Sequence, residues 1–261
     1  MTVQIHTVPA FNDNYLWLLA NLASGRALVV DPGDSTAVTA ALTQLGLTLT
    51  DILVTHHHPD HIGGVDALVA EYNCAVHGPH SKRIPQATHP LRNGDRLALL
   101  GLEFEVIEVP GHTLDHIAYF CSQGADGYPW LFCGDTLFAA GCGRLFEGTP
   151  AQMHSSLTRL AALPPATRIY CAHEYTLANL NFARAVEPDN QALRERQEQV
   201  QALREANIPS VPSSLAEELA TNPFLRCNEP AVAAAAADYS GEPLHSSTGV
   251  FAAVRRWKDN F

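Results

Sequence analysis

The sequence predicts an α+β fold: a sheet core covered by helices, followed by a helical segment. Three observations predict it. Short runs rich in Val, Ile, Leu and aromatic residues, bounded by Gly, Pro, Asn or Asp, crowd the first two-thirds of the chain. A few stretches of helical periodicity lie among them. After about Thr176 the strand signal stops.

In chain order, the strand candidates are residues 3–8, 15–20, 27–31, 52–55, 75–77, 103–109, 116–121, 130–133 and 169–171. Helical patterns fit 35–45, 64–71 and 150–162, the last through the stripe Leu157, Leu160 and Ala161. Such a mixture implies a sheet core with helices packed on it. Beyond Thr176 the expected helices are 190–206, carrying apolar Leu193, Val200 and Leu203, then 215–220, 228–239 and 247–257. Ser214-x-x-Glu217 resembles a capping box before the second of these. The division expected is therefore residues 1–175 and a helical domain, 176–261, packed against it.

Composition bounds the function. A chain of 261 residues, 46% hydrophobic and 16% charged, suits an ordinary globular enzyme. It has no apolar run of about 18 residues, so no membrane helix is expected. The start, Met-Thr-Val-Gln-Ile-His, lacks a basic region followed by an apolar stretch, which predicts a cytoplasmic protein. A formal charge of −11 without a Lys/Arg stripe argues against nucleic acid, whose binders need basic surfaces. The six cysteines are scattered with no Cys-x-x-Cys, which favours reduced thiols. Cys133 and Cys171 each precede a candidate ligand by two residues, but buried apolar filler is the favoured reading.

The chemistry concentrates in Thr55-His56-His57-His58-Pro59-Asp60-His61, four histidines and an aspartate directly after an apolar run. Imidazole and carboxylate are ligands that zinc, iron and manganese accept. Residues two apart on extended backbone point the same way, so His56 and His58 can share a metal. Asp60 and His61 can face a second after the turn at Pro59. One cation takes three or four protein ligands, so partners must come from elsewhere. His112, Asp135 and His173 each stand just after a strand-like run, where α/β proteins commonly carry function. His57, on the other side of the strand, is given a structural role. If two metals are bound, Asp135 is the natural bridge, because a carboxylate offers two oxygens.

These residues carry a resemblance. Thr55-His56-x-His58-x-Asp60-His61, Gly111-His112-Thr113, Gly134-Asp135-Thr136 and His173 resemble the metallo-β-lactamase superfamily in order and spacing. Further likeness to its glyoxalase II (hydroxyacylglutathione hydrolase) family lies in Asn12-Asp13-Asn14-Tyr15, Phe138-x-x-Gly141-Cys142-Gly143-Arg144, Cys171-x-His173-Glu174-Tyr175-Thr176, Asn222-Pro223-Phe224-Leu225-Arg226 and Arg255-Arg256-x-Lys258-Asp259. The resemblance spans nearly the whole chain.

What it implies is specific. The fold would be a four-layer αββα metallo-β-lactamase sandwich with a C-terminal helical domain, metals at one edge. His56, His58 and His112 would hold one metal and Asp60, His61 and His173 a second, with Asp135 between them. Two divalent ions are expected, zinc first, with iron or manganese as alternatives. The two metals would share the hydroxide that attacks an acyl carbon, with Asp60 and Asp135 as the catalytic carboxylates that hold them, so no Ser or Cys nucleophile is required. The substrate would be S-(2-hydroxyacyl)glutathione, with S-D-lactoylglutathione foremost, and the role methylglyoxal detoxification. Arg255 and Lys258, three apart on a helix, would meet a glutathione carboxylate. On the sequence alone, a solvated helix end with favourable dipole is the simpler reading of that pair. Arg144, Tyr175 and Asn179 match further glutathione contacts. The family often has Lys where Arg144 stands and Tyr where Phe146 stands, which puts affinity rather than reaction type in question.

Three other readings compete. A β-lactamase would carry a Cys at one ligand position and a secretion signal. A persulfide dioxygenase with a single iron shares the first histidine cluster and acts on glutathione, but generally lacks the helical extension with its basic end. A metal sensor without turnover is the non-enzymatic alternative. A monomer is expected, with neither nucleic acid nor membrane as partner.

Overall fold

The computed structural model describes residues 3–261. Its packing divides the chain into two compact units. The first runs to Val109 and includes Asp115–Gly134; the second comprises Pro110–Leu114 and Asp135–Phe261.

The first unit holds two sheets. β1 (Val3–Ala10), β2 (Asn14–Asn21) and β3 (Arg26–Val30) run antiparallel. After α1 (Ser35–Leu45), β4 (Thr48–Leu53) lies parallel to β3. A short helix α2 (Pro59–Ile62) and α3 (Val65–Tyr72) lead to β5 (Ala75–Pro79), and β6 (His89–Leu91) closes the sheet, both parallel. The second sheet here is antiparallel: β7 (Arg96–Leu99), β8 (Leu102–Glu108), β9 (Ile117–Cys121) and β10 (Trp130–Gly134).

Every residue of β2 is buried, so both faces of that strand are covered. On one face, Leu16, Leu18 and Ala20 join Val38 and Leu42 of α1 and Val65 and Leu68 of α3 in a single apolar cluster. On the other, the two sheets meet: the Tyr119 hydroxyl on β9 donates to the carbonyls of Val54 (2.7 Å) and His77 (3.2 Å). That phenol is fully buried, and burial drives its pKa well up. It therefore stays a donor throughout the ordinary pH range.

The second unit begins with a hairpin of two-residue strands, β11 (Leu137–Phe138) and β12 (Gly141–Cys142). α4 (Pro150–Ala161) and β13 (Arg168–Cys171) follow. The remainder is α5 (Thr176–Val186), α6 (Gln191–Glu205), β14 (Ser213–Ser214), α7 (Leu215–Thr221), α8 (Pro230–Ser240) and α9 (Ser247–Asp259). β14 pairs antiparallel with β13. Phe182, Phe224, Phe251 and Trp257 form the aromatic core, with neighbouring centroids 5.5–6.1 Å apart. Arg196 and Glu218, both buried, form an ion pair of 2.5 Å inside this unit.

The α+β class matches expectation, and α1 has the bounds its periodicity predicts. Several elements differ. β6 and β7 lie outside the expected strands: they are three and four residues long and partly exposed, and Pro90 is tolerated because β6 lies at the sheet edge. β4 starts at Thr48 rather than 52 and ends at Leu53, so the histidine motif begins on irregular backbone. α5 lacks a predicted stripe because most of its turns are buried, leaving little polar contrast. A two-residue strand, β14, persists beyond Thr176. Only half of the expected capping box forms. The Ser214 hydroxyl accepts from the Glu217 amide (3.2 Å), while the Glu217 carboxylate lies 3.3 Å from Arg196. A complete box instead opens α4, between Thr149 and Gln152.

Candidate metal centre

In the first unit, the loop leaving β4 carries the motif. His56 Nε2 and His58 Nδ1 approach to 3.0 Å, so alternate residues share a side as expected. His58 caps α2, Pro59 takes its first position, and one helical turn presents Asp60 and His61. The His56 and His61 rings lie 4.1 Å apart between centroids. His57 turns away, with Nδ1 3.0 Å from Asp115 and Nε2 2.8 Å from Arg83.

The support behind these ligands is polar and buried. Asp31, at the end of β3, accepts from the Thr55 amide and hydroxyl, both at 2.7 Å. Its other contact is His61 Nδ1 at 3.0 Å, which leaves Nε2 facing Asp60 at 3.4 Å. Asn14 donates to Asp60 at 3.0 Å. His116 stacks on His56, with centroids 4.5 Å apart. Gly33 is required for close approach: a Cβ there would lie 1.8 Å from the Asp60 carbonyl oxygen. Sequence reasoning missed Asp31 as a contributor. Its signal was an acid closing a strand-like run, but Asp-Pro-Gly reads as a turn.

In the second unit, Asp135 stands between two imidazoles. Its Oδ2 is 3.4 Å from His112 Nε2 and its Oδ1 3.3 Å from His173 Nε2. His112 Nδ1 meets the Arg144 carbonyl at 2.8 Å, which fixes the ring and directs Nε2 inward. An exposed aromatic flanks each imidazole. Phe146 meets His112 edge-on at 5.2 Å, and Tyr175 stacks on His173 at 4.7 Å. Two nitrogens on either side of a two-oxygen carboxylate form a donor arrangement suited to bridged divalent cations.

The remaining candidates also lie in the second unit, in different settings. Asn179 is buried and donates to the Ala139 carbonyl at 3.0 Å. Arg255 is buried, donates to the Cys142 carbonyl (2.9 Å) and to Asp259 (3.0 Å), and lies over the Phe224 ring. Arg144 is exposed, with Nε 3.8 Å from Asp259. Lys258 donates to the Ala178 carbonyl at 3.3 Å and lies over the rings of Phe182 and Phe261. Burial first, then the neighbouring Arg255 and Arg144 charges, hold its ammonium below the usual lysine pKa. All six cysteines are free and buried. Burial pushes Cys171 and Cys227 up to about 12 and Cys142 to about 11, which suits filler rather than ligands.

Facing sheets with a His-x-His-x-Asp-His motif and further ligand residues at strand ends define the metallo-β-lactamase class of metalloproteins. The superfamily model matches residues 13–173, and the model of the hydroxyacylglutathione hydrolase C-terminus matches 174–261. The hydroxyacylglutathione hydrolase of Pseudomonas paraeruginosa is 56% identical over 260 residues, covering 99% of this chain and all of that protein. That of Nitrosomonas eutropha is 51% identical over 261 residues, covering 99% of each. The chain belongs to the hydroxyacylglutathione hydrolase family. A crystal structure of the BLEG-1 B3 metallo-β-lactamase shares the fold, with TM-score 0.63 and 24% identity over 85% of this chain and 99% of that one. Among the described residues, no helix is long and apolar enough to cross a membrane.

Proposed function

We propose that the protein is a dinuclear metallohydrolase that cleaves the thioester of S-(2-hydroxyacyl)glutathione, S-D-lactoylglutathione above all, to glutathione and a 2-hydroxy acid. The observation that carries the metal half of this reading is the Asp135 carboxylate, with one oxygen toward His112 and the other toward His173. Family membership carries the substrate half.

In this reading, which follows the family resemblance, His56, His58 and His112 hold one divalent ion and Asp60, His61 and His173 the other, with Asp135 shared through its two oxygens. Zinc is the leading candidate, and iron or manganese suit the same donors. Such ions supply Lewis acidity toward a carbonyl oxygen and an ionised water at neutral pH. The chain's own residues supply orientation. Asp31 aims His61, the Arg144 carbonyl aims His112, and Asn14 holds Asp60. The leaving group is a thiolate that needs little protonation, so no general acid is required. Arg144, Lys258 and Tyr175 present charge and an aromatic face for the tripeptide, with Asn179 and Arg255 behind them. Residues 1–175 form the catalytic domain and 176–261 the substrate-binding domain, a division supported by family models that meet at residues 173 and 174.

The persulfide dioxygenase reading is not favoured, since the curated relatives at 51–56% identity are hydroxyacylglutathione hydrolases. The test is a paired assay on purified, metal-loaded protein: loss of thioester absorbance with S-D-lactoylglutathione, and oxygen uptake with glutathione persulfide. Thioester hydrolysis without oxygen uptake is expected. Oxygen uptake without hydrolysis would overturn the proposal.

A further inference from the structure

The β11–β12 hairpin follows Asp135 directly and ends just before Arg144. It is linked to all three candidate ligands of the second unit, to one by packing and to two through the chain that flanks it. Asp135 lies two residues before its first strand. The Arg144 carbonyl, beyond its second, orients His112. The Phe138 ring packs edge-on against His173, centroids 5.8 Å apart.

This hairpin is poorly equipped to hold its own shape. Its strands are two residues long, and its loop is Ala139–Ala140 where Asn-Gly or Gly would be favoured. Ala140 sits at φ +54°, a left-handed conformation that a Cβ opposes.

Side chains from the helices compensate. A backbone polar group of every residue from 138 to 142 is engaged. Asn222 Nδ2 donates to the carbonyls of Phe138 (3.2 Å) and Gly141 (2.9 Å). Asn179 takes the Ala139 carbonyl, Arg255 the Cys142 carbonyl, and Glu218 Oε2 accepts the Ala140 amide at 2.8 Å. Glu218 has no exposed surface, and its other oxygen meets Arg196. A buried carboxylate is costly, and an Arg196 pair alone would not require its second oxygen to face the strained Ala140. Asn222 is likewise fully buried.

We propose that Glu218 and Asn222 are positioning residues for the metal centre: by gripping the β11–β12 hairpin they set Asp135, His112 and His173, so the helical segment determines metal affinity as well as substrate binding. This rests on the reading of those three residues as ligands.

The test separates the hairpin grip from the buried charge pair. Arg196→Met with Glu218→Leu removes the grip and leaves no fully buried unpaired charge, since Glu217, the other carboxylate at Arg196, reaches solvent. Arg196→Met with Glu218→Gln removes the pair but keeps an acceptor for the Ala140 amide. Asn222→Ala removes the grip on Phe138 and Gly141, and with it the hydrogen bond that Asn222 Nδ2 donates to Glu218 Oε2 at 3.0 Å, while leaving the Arg196–Glu218 pair in place. Zinc affinity is read by chelator competition, and ligand geometry by the visible spectrum of the cobalt(II) form. Expected is a loss of zinc affinity of about 10- to 100-fold, with an altered cobalt spectrum, in the Leu and Ala variants. The Gln variant should stay within about threefold of the parent with the parent's spectrum, given the retained hydrogen bond. Parent-like affinity and spectrum in the Leu variant and in Asn222→Ala would overturn the proposal, as would equal losses in the Leu and Gln variants. Should either of the first two fail to fold, Asn222→Ala decides by the same readouts. A parent protein that binds no zinc or cobalt would instead overturn the metal reading itself.

Discussion

The two sets of candidate ligands are built in opposite ways. His56, His58, Asp60 and His61 come from one loop and one helical turn, and their support, Asp31, Thr55 and Asn14, comes from strand ends of the same unit. His112, Asp135 and His173 stand on three separate segments, brought together by a strained hairpin and by helices up to 113 residues further along the chain. A local motif can be assembled by backbone geometry alone. A dispersed one needs tertiary contacts, so it is the half that distant substitutions can disturb.

The sharpest break is in the dispersed half. Asp135→Ala removes the carboxylate between His112 and His173, and kcat/KM should fall about a thousandfold or more, since metal stabilisation of the transition state is worth several kcal/mol. Metal analysis should show less than the parent content; full content with parent activity would place the bridge elsewhere. Next comes Arg196→Met, which leaves Glu218 charged and unpartnered by a cation inside the second unit. A loss of about 3–5 kcal/mol in urea unfolding is expected. The local half is tested by Asp31→Asn, which weakens the acceptor that aims His61. Metal affinity should drop about 10- to 100-fold, with a stability loss of about 1–3 kcal/mol because one buried acceptor oxygen becomes a donor.

The mildest effect concerns recognition. Lys258 is held below the ordinary lysine pKa, so the fold favours its neutral form. Stability should rise with pH between that lowered value and about 10.4, where the unfolded chain carries the extra proton. Binding of an anionic substrate runs the other way: KM should rise as pH passes through the lowered Lys258 value, with kcat nearly flat. Lys258→Met should raise KM several-fold at neutral pH and abolish the alkaline limb, since an exposed charge contact is worth about 1 kcal/mol. A limb that survives in the variant would assign it to another group.

This contrast also explains what was legible in the sequence. Alternation of His56 and His58, and the outward turn of His57, follow from backbone period alone and appear as read. His112, Asp135 and His173 are candidates by their place after strand-like runs, a positional rule that needs no tertiary knowledge, and the structure brings their side chains together. Asp31 escaped because an acid before Pro-Gly has a sufficient local explanation. Asn222 opens the motif Asn222-Pro223-Phe224-Leu225-Arg226 and Glu218 follows the expected capping box, but neither pattern names a partner: Glu218 looks like a helix surface acid and Asn222 like a helix end. Their meaning lies in the Ala140 amide and the Phe138 and Gly141 carbonyls, about 80 positions away. Arg255 shows the same limit. Read as a charge at a solvated helix end or on a ligand, it lies buried against the Cys142 carbonyl.

In the function proposed, thioester hydrolysis depends on two bridged metal ions. The most direct test of that dependence is to titrate metal-free protein with zinc while following hydrolysis of S-D-lactoylglutathione. Activity should climb until two equivalents per chain are bound and then level off. Full activity at one equivalent, or none with two bound, would contradict it.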